Sequence, residues 1–75
     1  MFDNYLTADQ KRSLIEQRLT QFAAEGYQHQ LNKLNAQTAT HLTAEEQAQA
    51  IEVAEKSMDI IQQAIATHEV ELGKL

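Results

Sequence analysis

Residues 44–75 read AEEQAQAIEVAEKSMDIIQQAIATHEVELGKL. At alternating steps of three and four this stretch carries Ala44, Gln47, Ile51, Ala54, Met58, Ile61, Ile65, His68, Leu72 and Leu75. Most of these are apolar, and there is no Lys, Arg, Asp or Glu among them. An α-helix returns to the same face at about that interval, so the series is a seam on a helix made to lie along another helix. The seam says what the helix must touch, and it decides the fold class: all-α.

The partner helix lies upstream. Zero proline and two glycines in 75 residues is a strongly helical composition. Both helix starts are marked by a capping box, in which a Thr hydroxyl accepts from the third helical amide and the third side chain reaches back. Thr7-Ala8-Asp9-Gln10 is the first box and Thr43-Ala44-Glu45-Glu46 the second, each preceded by a leucine, Leu6 and Leu42. The spacing predicts helices over about 8–37 and 44–72, the second ended by Gly73 as a C′ glycine. Asn35 to His41 is small and polar, a short connection that makes the helices antiparallel neighbours in a rod of roughly 45 Å.

The first helix has a less regular pattern. Its apolar positions are Ile15, Leu19, Phe22 and Ala23, Gly26 and Tyr27, Leu31, Leu34 and Thr38, with a slip of one residue between Ala23 and Tyr27. Gly26 costs about 1 kcal/mol relative to alanine in a helix interior. No N-cap residue or proline follows it, so the helix is expected to continue through it, with Gly26 admitting another helix closely.

The second helix carries two more faces. A stripe of Ala50, Val53, Ser57, Ile60, Ala64 and Thr67 runs beside the seam, free of charge until Glu71. A single hairpin would leave Val53 and Ile60 in water. The expected remedy is a second copy, giving a four-helix bundle or short coiled coil with this stripe as the oligomer interface. The opposite flank holds Glu45, Glu52, Glu55, Asp59 and Glu69, an acidic surface that could meet a partner. Charge divides between the halves: through Gln37 the acids Asp3, Asp9, Glu16 and Glu25 are balanced by Lys11, Arg12, Arg18 and Lys33, and the second helix carries the net −5.

Composition bounds the function. Seventy-five residues make a single domain, 1–75, near the size at which one chain struggles to bury enough apolar surface. There is no cysteine to supply disulfides or thiolate ligands. The start of the chain, Met1-Phe2-Asp3-Asn4-Tyr5-Leu6, has no basic and apolar leader pattern, and no apolar run approaches the roughly 20 residues of a membrane span. A cytoplasmic protein is expected. Net negative charge disfavours nucleic acid and anionic membrane as partners.

Chemistry has few candidates. His29 follows Glu25 by four residues, a two-ligand set too small for a metal; His68 occupies the seam, and His41 falls in the connection. Ser13 and Ser57 lack a nucleophile elbow, and no phosphate-binding glycine loop is present. A two-helix chain was also expected to leave little room for a concave pocket. The sequence therefore predicts no catalytic residue, no metal and no cofactor. It predicts a non-enzymatic protein–protein interaction module, an adaptor, regulator or assembly subunit that pairs with itself and with an unidentified protein partner. The alternative is an acidic inhibitor that occupies a basic or nucleic-acid-binding site on another protein.

Overall fold

The computed structural model describes residues 2–75. A 3-10 turn at Phe2–Tyr5 precedes two long helices, α1 (Ala8–Thr38) and α2 (Ala44–Gly73), and the described residues contain no strand. The helices pack along each other in an antiparallel hairpin 53 Å long and 17 Å wide. Phe22 meets His68, Gly26 lies against Ile61, and Gln37 is joined to Gln47 near the connection, which fixes the antiparallel register.

Both capping boxes form. The Thr7 hydroxyl accepts from the Gln10 amide at 3.1 Å while the Gln10 side chain accepts from Thr7 N–H at 2.9 Å. Thr43 and Glu46 repeat this at 3.1 and 3.0 Å. The connection is tied by Gln47, whose Nε2 donates to the carbonyls of Gln37 and Ala39. Gln47 is polar yet sits on the seam, and these bonds give it its place.

α1 runs through Gly26 without a break. Gly26 faces α2, but a β-carbon there would sit 3.6 Å from Ile61 Cγ2, an ordinary contact. The expected close approach therefore needs correction: the position is a helix–helix contact that does not require glycine. Gly73 also departs from expectation. It lies inside the last turn of α2 with no positive φ, and Lys74 caps the helix in a right-handed conformation. No left-handed glycine stop is formed.

The seam of α2 is as the periodicity predicts. Gln47, Ile51, Ala54, Met58, Ile61, Ile65, His68 and Leu72 are all buried or half-buried, and only the end positions Ala44 and Leu75 are exposed. The facing side of α1 is Ile15, Leu19, Phe22, Gly26, His29, Lys33 and Ala36, a strict heptad with no slip. The residues that suggested a slip, Tyr27, Leu31 and Leu34, are 59%, 45% and 49% exposed. The backbone keeps facing α2 while the apolar side chains turn away from it beyond Gly26.

Among the described residues only Ala36 and Ala54 are buried, at 5% and 3% exposure. Ion pairs do not join the helices among the described residues. Asp9–Arg12, Glu52–Lys56 and Glu71–Lys74 each lie within one helix, exposed, at 2.9–3.0 Å. Such pairs contribute about 0.2–0.5 kcal/mol each, so the hairpin is held by its apolar seam.

Candidate functional site

The α2 stripe lies open. Val53 and Ile60 are 61% and 67% exposed, Ser57 and Ala64 are half-buried, and Ala50 and Thr67 are exposed. Its two hydroxyls are already satisfied within the helix: Ser57 Oγ donates to the Val53 carbonyl at 2.9 Å and Thr67 Oγ1 to the Gln63 carbonyl at 3.0 Å. Covering the stripe would therefore strand no hydroxyl donor, which removes the main penalty for burying Ser or Thr. Val53 and Ala50 border a shallow groove completed by His29, Asn32 and Leu42, so α1 supplies a polar rim along this side.

The chain exposes 5929 Å². A compact folded protein of 8.5 kDa would expose about 4,700 Å² by the usual size scaling. The excess, about 1,200 Å², reflects the shape of a rod 53 Å long and 17 Å wide.

A second apolar face was missed by reading the sequence as one seam per helix. Tyr27, Leu31 and Leu34 form a stripe on α1 turned away from α2, and they do not line the groove beside Val53. The signal was the one-residue drift after Ala23, which marks a second stripe rather than a bent seam.

At the open end of the hairpin, Phe2, Leu6, Leu14, Ile15, Arg18 and His68 help line an open groove of about 520 Å³. Asp3, Lys11, Thr67, Glu71 and Lys74 also line it, and the Thr67 hydroxyl donates to the Gln63 carbonyl. Arg18 lies 5.6 Å above the Phe22 ring, and Phe22 meets His68 edge-on at 4.9 Å. His68 Nδ1 is 2.7 Å from the Ala64 carbonyl. A carbonyl only accepts, so Nδ1 carries the proton and Nε2 is the free acceptor of the neutral ring. His68 thus gains a partner inside its own helix.

The other titratable candidates stay apart. His29 is half-buried on the seam while Glu25 is exposed, and no three His, Cys, Asp or Glu side chains converge among the described residues. Glu45, Glu52, Glu55, Asp59 and Glu69 are all exposed, and of these Glu52 is paired with Lys56. The Glu46 carboxyl is held below the ordinary glutamate range by the Thr43 N–H and then by the Thr43 hydroxyl, outweighing a slight opposing effect of burial. No helix among the described residues is long and apolar enough to cross a membrane.

Compared with protein-family models, with curated proteins and with solved structures, the chain matches none of them.

Proposed function

We propose that this chain is a small non-enzymatic protein–protein interaction module, an adaptor, regulator or assembly subunit working as a homo-oligomer in the cytoplasm. The observation that carries the reading is an open apolar stripe, Ala50 to Thr67, on a hairpin that buries only two alanines among the described residues. A fold with so thin a core gains most by adding apolar contacts from outside. Pairing through α2 leaves the Tyr27–Leu31–Leu34 stripe of α1 outward, and that stripe is the surface offered to a different protein. Metals, cofactors, nucleic acid and membrane have no part in this proposal.

Val53→Glu combined with Ile60→Glu tests it. The variant should sediment as a monomer, or unfold, because two carboxylates would enter the covered stripe. A variant with unchanged mass and unchanged melting would remove the stripe from any interface.

One observation favours a second reading, an acidic inhibitor of a basic site: the exposed acids Glu45, Glu55, Asp59 and Glu69 have no cation paired with them among the described residues. Salt separates the two. Binding led by these acids should weaken steeply between low and moderate ionic strength, whereas binding through the apolar α1 stripe should not.

A further inference from the structure

We infer that the closed hairpin is one of two packings open to this chain, and that Gln47 and the Thr43–Glu46 capping box form the latch that keeps it closed. In the other packing the connection is helical, α1 and α2 run on as one helix, and two such chains exchange halves. One seven-residue register already spans the connection. Leu19, Gly26 and Lys33 on α1 are in phase with Gln47, Ala54, Ile61 and His68 on α2, with Thr40 between them. All of these but Thr40 are buried or half-buried on the seam. A continuous helix would therefore carry both halves of the seam on one side. A second chain laid antiparallel to it would meet α1 with its own α2, through the contacts that the hairpin makes internally.

The backbone of the connection does not forbid a helix. Ala39-Thr40-His41-Leu42-Thr43 contains no glycine or proline, and none of these residues has a positive φ. Side chains hold the bend. Thr43 N–H donates to the Glu46 carboxyl at 3.0 Å, and the Thr43 hydroxyl accepts from Glu46 N–H at 3.1 Å. Gln47 Nε2 donates to the carbonyls of Gln37 and Ala39 at 3.1 and 3.5 Å. These bonds belong to the closed packing alone. In a continuous helix the Gln37 and Ala39 carbonyls would accept from the amides of His41 and Thr43, and Glu46 N–H would donate to the Leu42 carbonyl. Opening therefore takes these partners from the side chains of Thr43, Glu46 and Gln47. This gives a polar residue a reason to interrupt the apolar seam: Gln47 favours one packing over the other. The Thr7–Gln10 box differs, because it caps the start of α1 in either packing.

A disulfide reporter tests the latch, because the chain contains no cysteine. Gly26→Cys and Ile61→Cys are placed together in one chain. A β-carbon at Gly26 would sit 3.6 Å from Ile61 Cγ2, so the two thiols come within bonding reach across the seam. The reporter chain is refolded from urea over a range of concentrations, oxidised and run on a denaturing gel. Closed hairpins link within one chain, whereas exchanged halves link two. Pairing of closed hairpins through the α2 stripe leaves each disulfide within one chain, so the result does not depend on the homo-oligomer reading. With the latch intact, the reporter should link within one chain. Gln47→Leu removes two latches per exchanged pair, each worth about a fivefold factor, so the ratio of two-chain to one-chain product should rise about 25-fold at equal concentration. Thr43→Ala should raise it too, and Thr7→Ala should leave it unchanged. Two-chain product at every concentration with the latch intact would overturn the closed hairpin as the resting packing. Gln47→Leu and Thr43→Ala reporters that link only within one chain, whether they stay helical or lose helicity, would overturn the latch. An equal rise in Thr7→Ala would overturn it as well.

Discussion

The two halves of the hairpin are built on different terms. In the half nearest the chain ends, Ile15, Leu19 and Phe22 share the seam with Ile61, Ile65, His68 and Leu72, large side chains that fill space between the helices. In the half nearest the connection, α1 contributes Gly26, His29, Lys33 and Ala36, and Ala36 and Ala54 are buried. The large apolar residues that α1 contributes to that half, Tyr27, Leu31 and Leu34, are exposed, while α2 keeps Ile51 and Met58 half-buried on the seam. In the first half both helices bring large side chains to the seam. In the other half the α1 side of the seam is small or polar, and the large apolar side chains of α1 are exposed.

Opposite substitutions should break the two halves. Phe22→Ala empties space between Arg18, His68 and the seam, and should cost about 3 kcal/mol, the low end for a phenylalanine because the site is half-buried. Ala54→Leu adds bulk where 3% of the residue is exposed, and should cost about 1–3 kcal/mol through overpacking. Urea melts of the two variants measure both losses. An Ala54→Leu protein as stable as the parent would mean that the connection half is loosely packed.

Gly26 stands between the halves, and its substitution should sharpen the comparison. Alanine removes backbone freedom from the unfolded chain and meets Ile61 at an ordinary distance, so Gly26→Ala should stabilise by about 0.5–1 kcal/mol. A loss in the same melts would show that the helices need the closer approach. On the outward stripe, Tyr27→Gln, Leu31→Gln and Leu34→Gln should each change hairpin stability by less than about 0.5 kcal/mol, since surface positions without special partners do. A larger loss would place that stripe inside the fold or inside the self-association interface.

The smallest effect separates the two caps. Gln10 makes the first box with a neutral side chain, whereas Glu46 makes the second with a carboxyl held below its ordinary range. A lowered folded value means that the stabilisation is present above the unfolded glutamate value and is lost as pH falls through the folded one. Glu46→Gln should keep the box and flatten this part of the acid limb, read as helicity between neutral and strongly acid pH. An unchanged acid limb would show that the Glu46–Thr43 bonds add no pH dependence.

Helix positions were legible because their signals are local. Two capping boxes set both starts, and the α2 seam is continuous from Gln47 to Leu72. The facing of α1 was legible only as far as Gly26. Beyond it, apolar character and facing part company: the rigid seven-residue register carries His29 and Lys33 to the seam, where a long side chain can lay its aliphatic stem along α2 and keep its polar end in water. A sequence pattern ranks residues by hydrophobicity and does not register that a second surface competes for them. The C-terminal end of α2 was misread for a related reason, since a glycine there permits a left-handed stop without requiring one. The α2 stripe was legible as exposed, because a hairpin supplies only one neighbour per helix.

Under the proposed homo-oligomer, one hairpin is half of a folded unit. Thermal melting of the unmodified chain by circular dichroism, over a hundredfold range of concentration, tests it most directly. Folding coupled to pairing predicts a Tm that rises steadily with concentration, alongside a sedimenting mass of twice 8.5 kDa. A Tm independent of concentration, with a helical species at the mass of a single chain, would contradict it.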